Sequence, residues 1–363
     1  MSWYFIFGVP FVLAVLLTPI IKKIAIYLNA VDHPNVRKVH TKVMPRLGGV
    51  AIFLAATISL IIFAKETEEP LIWILLGSFV IVTAGIIDDL KPLSARVKLL
   101  FQITAALIVV YGGVSIQFIN IPLTDYVLQL GNWSWIVSLF WVVGITNALN
   151  LIDGLDGLAA GVSAIALATI FVMSLIMGNM VVAIISLVAL GATTGFLLFN
   201  FYPAKIFMGD SGSLFLGFLL STLAILGFKN VAVVSFLIPI VILAVPIFDT
   251  FFAIIRRFRS KQSIAAPDKK HLHHCLLEMG FSHRKTVLMI YSINILFSLA
   301  AIFLSQTTVW IALLVLSILM LLVLLGAEWT GVLGETKKPI TRFLISLGGW
   351  LTGIAASKLH IKG

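Results

Sequence analysis

Charge is what this chain has least of. Only 11% of its 363 residues are Asp, Glu, Lys or Arg, against about 25% in a typical soluble domain. A water-soluble fold of that composition would expose large apolar patches and aggregate. Cysteine is nearly missing as well: Cys275 stands alone, which excludes a disulfide framework. No linker long enough to separate domains is present, and no clear internal repeat. The opening "MSWYFIFGVPFVLAVLLTPIIKK" carries its positive charge after the apolar run and lacks a small-residue cleavage site. It reads as a retained first span with its N-terminus outside, rather than a signal peptide.

Apolar residues fill the space, at 60% of the chain with a mean hydropathy of +1.12. An integral membrane protein is expected. Lipid cannot satisfy backbone polar groups, so only helices and closed barrels cross it. Barrel strands alternate apolar and polar side chains, whereas runs such as "WILLGSFVIVTAGII" are solidly apolar; helices are expected. Eleven runs can be marked: 3–21, 48–64, 71–87, 99–117, 134–150, 158–177, 180–199, 213–228, 231–255, 287–305 and 308–326. Most approach the ~20 residues needed to span. Residues 1–363 therefore read as one polytopic all-α integral membrane domain of about eleven transmembrane helices, with a cytoplasmic-surface tail at 327–363. In that tail "RFLISLGGWLTGIAASKL" is interrupted by Gly348 and Gly349 and flanked by Lys and Arg, which places it on the inner surface.

The net charge is +10. On a soluble protein that balance suggests nucleic acid. On a membrane protein it marks cytoplasmic loops and attraction to anionic headgroups, and no nucleic-acid partner is expected. With the N-terminus outside, odd-numbered spans end inside. That arrangement puts 23 of the 25 Lys and Arg residues inside, leaving only Lys65 and Lys229 outside. The bias predicts an N-terminus outside and a cytoplasmic C-terminus. The same alternation brings Asp88 and Asp89 after the third span, Asp153 and Asp156 after the fifth, Asp210 after the seventh and "HLHH" after the ninth to the cytoplasmic face. Random placement would scatter them over both faces.

Each cluster has a plain reading and a functional one. In "GIIDDLKPLSARVK" the two carboxylates end an apolar run. A solvated helix end is the plain reading, but carboxylates there oppose the helix dipole, which favours a bound cation, metal or phosphate. Lys98 reads equally as a snorkelling anchor or a phosphate contact. In "FNFYPAKIFMGDSGS", Asp210, Ser211 or Ser213 would serve as an ordinary helix cap. Alternatively Asp210 is a metal-binding carboxylate beside N–H groups suited to phosphate. Phe207 is a core residue or a stacking platform for a base.

In "NALNLIDGLDGLAAG", Asn147, Asn150, Asp153 and Asp156 recur every third residue. Gly154 and Gly157 make a continued α-helix unfavourable, and a 3₁₀ turn would align the four into one ridge. Four such residues exceed what one helix end needs. "DKKHLHHCLLEMG" holds His271, His273 and His274, with Arg256, Arg257 and Arg259 upstream. Its spacing matches no structural zinc pattern. Solvated loop histidines and a basic anion-binding loop remain open. "DHPNVRKVHTKVMPRLGG", from Asp32 to Gly49, is a further basic inner loop for anionic lipid or substrate. Carboxylates and an amide suited to Mg²⁺, cationic groups, an aromatic and a lipid boundary together suggest phosphoryl transfer to a lipid-embedded partner.

"GIIDDLKPLSARVKLL", "NALNLIDGLDGLA", "FMGDSGSLFLG" and "KKHLHH" resemble the polyprenyl-phosphate N-acetylhexosamine-1-phosphate transferases, over about Asp32 to His274. The "HLHH" form and the "DHPNVRKVH…PRLGG" loop look most like the branch that uses UDP-N-acetylglucosamine, and within it the branch that begins wall teichoic acid. The resemblance implies transfer of N-acetylglucosamine-1-phosphate from UDP-N-acetylglucosamine to undecaprenyl phosphate, with release of UMP. It implies Mg²⁺ as cofactor, with Mn²⁺ as an alternative, in a bilayer-embedded protein whose relatives include homodimers. It implies catalytic roles for Asp88, Asp89, Asp153 and Asp210, the first two facing the lipid phosphate. Asp210 and Asn150 would hold the metal, and Lys98 would contact phosphate. Asp156 and Phe207 would recognise uracil, with Asn200 in the nucleotide pocket. His271, His273 and His274 would shape the sugar and phosphate pocket. The alternatives are the sibling that transfers phospho-N-acetylmuramoyl-pentapeptide and, from another class, a transporter. Against the latter, the polar clusters gather on one face rather than at mid-membrane.

Overall fold

The computed structural model describes residues 2–33, 43–63, 70–120, 124, 126–228, 237–261 and 270–332. Thirteen helices and two short hairpins are found among them. The helices are α1 (Trp3–Tyr27), α2 (Gly48–Phe63), α3 (Pro70–Leu90), α4 (Ala95–Tyr111), α5 (Trp133–Ile152), α6 (Leu158–Ile176) and α7 (Met180–Asn200). They continue with α8 (Gly209–Phe228), α9 (Leu237–Ile242), α10 (Ala244–Arg259), α11 (Leu272–Glu278), α12 (His283–Leu304) and α13 (Val309–Trp329). The hairpins pair β1 (Val31–Asp32) with β2 (Met44–Pro45), and β3 (Phe118–Asn120) with β4 (Val127–Gln129), both antiparallel.

Eight of the described helices are long and apolar enough to cross a membrane: α1, α3, α5, α6, α7, α8, α12 and α13. The first eight apolar runs and the last two each coincide with a helix, but α2 has 16 residues and α4 has 17. At 1.5 Å per residue each reaches about 25 Å, short of a ~30 Å hydrocarbon core. The ninth run, 231–255, differs more. Its described part is two helices, α9 and α10, divided at Leu243. Pro246, in the first turn of α10, has no N–H to bond four residues back and its ring crowds the carbonyl there, which favours the break at Leu243. The tail expected at 327–363 falls outside the described residues from 333 on.

Helix α8 is the axis of the bundle and packs on α2, α3, α5 and α6. Its side chains from Leu214 to Leu220 are buried without interruption, as an all-round apolar helix requires. Helix α1 lies against α7 and α2, and α12 against α6 and α9. Small residues permit the tightest approach. A Cβ on Gly49 would overlap the backbone of Gly212, so α2 and α8 touch main chain to main chain. Helix α13 is peripheral, with most of its surface outward.

Connections alternate between the two ends of this bundle. The C-termini of α1, α3, α5, α7 and α10 meet the N-termini of α2, α4, α6, α8 and α12 at one end. The β3–β4 hairpin, between α4 and α5, closes the other.

Candidate active site

The sequence clusters that the parity of spans assigned to one face do converge at one end of the bundle. The N-terminus of α8 is the centre. Gly209 there has a left-handed φ of +72°, which glycine alone adopts without strain. A Cβ at this position would also overlap the Asp89 carboxylate. That close approach lets Asp89, from the end of α3, accept the N–H of Asp210 at 2.9 Å and of Ser211 at 3.1 Å. A carboxylate from another helix thus caps α8, where N–H groups are unpaired and the dipole favours negative charge.

The cap changes what Asp210 can do. The cap expected from Asp210, Ser211 or Ser213 is supplied instead by Asp89, so the Asp210 side chain is released to face the site. Lys98, in the first turn of α4, donates to Asp210 Oδ2 at 2.6 Å and lies 2.8 Å from Asp88 Oδ2. It is inside the site rather than snorkelling outward. Asp88 Oδ1 also accepts the Leu93 N–H at 2.7 Å. Arg46 reaches Asp89 at 3.4 Å, Asp32 at 3.7 Å and Asp210 at 3.8 Å. The two neighbours Asp88 and Asp89 therefore differ. The Asp89 side chain is fully enclosed, at 0% exposure, while Asp88 keeps 7%. Neither is a solvated helix end.

The ridge expected of residues 147–156 is divided. Helix α5 runs regularly to Ile152 and ends at Asp153, with ψ of 61°. No 3₁₀ turn follows. Asn147 turns toward α4, donating to Gln102 Oε1 at 2.7 Å and accepting from Gln102 Nε2 at 3.1 Å. It clamps two helices. Asn150 turns toward α8 and donates to Ser213 Oγ at 2.8 Å, which leaves Oδ1 as its acceptor. Asp153 lies in the loop beyond. Burial pushes its pKa up to about 8, helped by the negative charges of Asp210 and Asp89 and opposed by Arg46.

Asp156, Asn200 and Phe207 hold a second layer together. Asp156 Oδ2 accepts the Ala204 N–H at 2.9 Å, and its own N–H donates to His283 Nε2 at 3.0 Å. Asn200 accepts from Gly157 N at 3.1 Å and donates to the Ile206 carbonyl at 3.0 Å. Both ends of that buried amide are taken up by backbone, so Asn200 braces the two loops. Phe207 is half-buried, and its backbone pairs with Pro45 in β2 and with Gly48 at the start of α2.

The histidine stretch is not a solvated loop. His271 and His273 are 5% and 3% exposed. Burial and the neighbouring histidines push His273 down to about 3, so its ring is neutral in ordinary buffers. The ring lies against Gly154, in the loop between Asp153 and Asp156, and its Nε2 is buried without a hydrogen-bond partner. His274 stacks obliquely on His273, with centroids 4.2 Å apart. His271 Nδ1 is 2.7 Å from Asp249 Oδ2. Burial raises the Cys275 thiol to about 11, which opposes the thiolate that zinc would need.

The donor chemistry suits a hard cation: carboxylate and amide oxygens, in excess over Lys98 and Arg46. Among the described residues, no three His, Cys, Asp or Glu side chains are already gathered as a metal-binding set. Asp210 and the Asn150 Oδ1 are donors of the kind that Mg²⁺ takes together with substrate phosphates.

Sequence reasoning missed four participants. Asp249 had a signal, as a lone carboxylate inside an apolar run. Arg46 stood in a loop already marked as basic, half of which (34–42) is outside the described residues. Gln102 and His283 carried no local signal; only the packing of α4 on α5 and of α12 on α6 brings them in.

Known proteins are similar to this chain over much of its length. The family model described as glycosyl transferase family 4 matches residues 71–228. A probable undecaprenyl-phosphate N-acetylglucosaminyl 1-phosphate transferase of Bacillus subtilis is 48% identical over 338 residues, 93% of this chain and 94% of that protein. The decaprenyl-phosphate N-acetylglucosaminephosphotransferase of Mycobacterium tuberculosis strain H37Rv is 38% identical over 304 residues, covering 75% and 74%. An undecaprenyl-phosphate alpha-N-acetylglucosaminyl 1-phosphate transferase of Thermotoga maritima is 31% identical over 288 residues, covering 79% and 86%.

Proposed function

The chain belongs to glycosyl transferase family 4, and we propose that it transfers N-acetylglucosamine-1-phosphate from UDP-N-acetylglucosamine to undecaprenyl phosphate. The observation that carries this reading is the meeting of Asp88 and Asp210 on Lys98 at the capped N-terminus of α8. A cation between two carboxylates, beside a helix N-terminus, is arranged to exchange its partners for phosphate. The asymmetry of Lys and Arg along the sequence supports a cytoplasmic position for this end. Soluble UDP-sugar would reach it there, and the polyprenyl chain would lie in the bilayer. The product would feed a cell-envelope glycopolymer such as teichoic acid.

In the reaction a phosphate oxygen of undecaprenyl phosphate attacks the β-phosphorus of the UDP-sugar. The new P–O bond forms as the bond from that phosphorus to the bridging oxygen breaks, and the oxygen leaves on UMP. A phosphomonoester has a second pKa near 6, so the attacking group is mostly dianionic at pH 7 and needs little help from a base. Mg²⁺, when bound through Asp210 and Asn150, supplies charge neutralisation on the diphosphate. Lys98 contacts phosphate, and Arg46 holds Asp89 and Asp210 in register. Asp89 positions Asp210 by capping α8, and Asp88 orients Lys98. Asp156, Asn200 and Phe207 shape the uracil side through the loops they tie together. Asp153 lies between the carboxylates and that pocket.

The test is purified protein with sugar-labelled UDP-N-acetylglucosamine, Mg²⁺ and undecaprenyl phosphate. Label in the lipid phase with an equivalent of UMP is expected. UDP-N-acetylgalactosamine and the muramoyl-pentapeptide nucleotide are expected to be poor donors. Stoichiometric UMP release before lipid is added would overturn direct attack in favour of a covalent intermediate.

A further inference from the structure

The histidine stretch is anchored by a carboxylate from a different helix. Asp249 sits in α10 at 4% exposure. Its Oδ2 is 2.7 Å from His271 Nδ1, and its Oδ1 accepts the Leu272 N–H at 2.8 Å. A buried carboxylate is costly unless paired and hydrogen-bonded, and here both oxygens end on the first residues of the histidine stretch. One side chain thereby fixes the backbone at Leu272 and the imidazole at His271.

The chemistry of that contact is directional. A carboxylate only accepts, so Nδ1 carries the hydrogen; in the neutral form of the ring the lone pair is then on Nε2. The orientation continues along the stretch. The His271 and His273 rings lie parallel within 7°, with centroids 6.0 Å apart. His273 in turn packs on Gly154, its Nε2 buried and unpartnered. A chain of contact thus runs from α10 to the loop that holds Asp153 and Asp156.

We propose that Asp249 is a positioning residue for the transfer reaction: it sets the tautomer and tilt of His271, and through it seats His273 against the 153–157 loop. The inference rests on the reading above, that this end of the bundle holds the sugar nucleotide.

Asp249→Asn tests it. The amide oxygen still accepts from Leu272, but the NH₂ faces Nδ1 and forces the ring hydrogen onto Nε2. The ¹⁵N spectrum of histidine-labelled protein reads the tautomer without turnover, the His271 signal being assigned by its loss in His271→Gln. Nδ1–H is expected in the native protein and Nε2–H in the variant. Turnover is expected to fall at least about 100-fold, with the donor KM changed much less. The Asp249→Asn/His271→Gln double variant is expected to be no slower than His271→Gln alone. An unchanged tautomer, an unchanged kcat or multiplicative losses in the double variant would each overturn the proposal. If Asp249→Asn does not fold, His271→Asn and His271→Leu replace it. The Asn amide can still donate to Asp249, so at least about tenfold more activity than Leu is expected, and equal activity contradicts the proposal. Native protein that shows the Nδ1–H tautomer but makes no lipid product would instead count against the functional reading.

Discussion

The two halves of the site are built on opposite electrostatic plans. Around the α8 N-terminus, Asp88, Asp89 and Asp210 are held by Lys98 and Arg46. Formal charges stand close together, and each cation touches more than one carboxylate. Around α11 the groups are buried and His273 is neutral. Order there comes from one carboxylate, parallel rings and close contact with Gly154. The first half is suited to exchanging ionic partners when phosphates arrive, because its pairs are charge-assisted and partly open. The second is suited to presenting fixed polar edges to a neutral group such as a sugar. Charge recognition and shape recognition would then fall to different parts of one end of the bundle.

Substitutions can break that contrast, beginning with the charged half. Asp210→Asn removes a carboxylate without changing its shape and is expected to lower kcat by about 10²–10³-fold, with a higher Mg²⁺ requirement in a metal titration. Lys98→Met is expected to cost about 10²-fold in kcat/KM, with most of the loss in lipid-phosphate or donor KM. In the histidine half, by contrast, His273→Gln keeps a neutral polar edge. It removes the ring that packs on Gly154, so it is expected to cost about as much as Asp249→Asn, and to leave the acid limb of the pH profile unmoved between pH 5 and 8, since that ring titrates near 3.

The neighbours Asp88 and Asp89 sharpen the comparison within the charged half. Asp89→Asn weakens the cap of α8 and is expected to destabilise the fold by about 0.5–2 kcal/mol, seen as a lower Tm in detergent. Asp88→Asn is expected to leave Tm within a few degrees while lowering kcat, part of which returns at higher pH as the phosphate acceptor becomes fully dianionic. Equal effects on Tm would contradict their separation.

Asp153 gives the pH signature. Its pKa lies near 8, above an ordinary 3.8, so between those values the folded protein holds a proton that the unfolded chain releases. Stability of metal-free protein is therefore expected to fall as pH rises from about 5 to 8, and Asp153→Asn to flatten that slope. Added Mg²⁺ should raise Tm more at pH 8 than at pH 6, because it no longer competes with the proton. The smallest effect belongs to the α4–α5 clamp. Asn147→Ala and Gln102→Ala should each cost about 1 kcal/mol, with no further loss in the double variant.

Much of this arrangement was readable before any coordinates. The apolar runs locate the helices because lipid imposes length and composition on each span separately. The parity of those runs brought Asp88, Asp153, Asp210 and His271 to one end, because topology needs only a count. What stayed hidden depends on direction within that end. Period three made Asn147 and Asn150 look like one ridge, yet they face different helices, since side-chain partners are set by packing. Asp88 and Asp89 are adjacent letters, but a turn of about 100° sends one to Lys98 and the other into α8. Asp249 was visible as an isolated charge, and only the fold of α10 against α11 gives it His271 as a partner.

The most direct test of the account follows a single phosphorus atom. UDP-N-acetylglucosamine labelled with ³²P at the β-phosphate is incubated with the purified protein, Mg²⁺ and undecaprenyl phosphate, and the phases are separated. Transfer of a phospho-sugar requires the label to enter the lipid phase with the sugar, leaving unlabelled UMP in the water. Label retained in water as UDP, with sugar alone on the lipid, would contradict it.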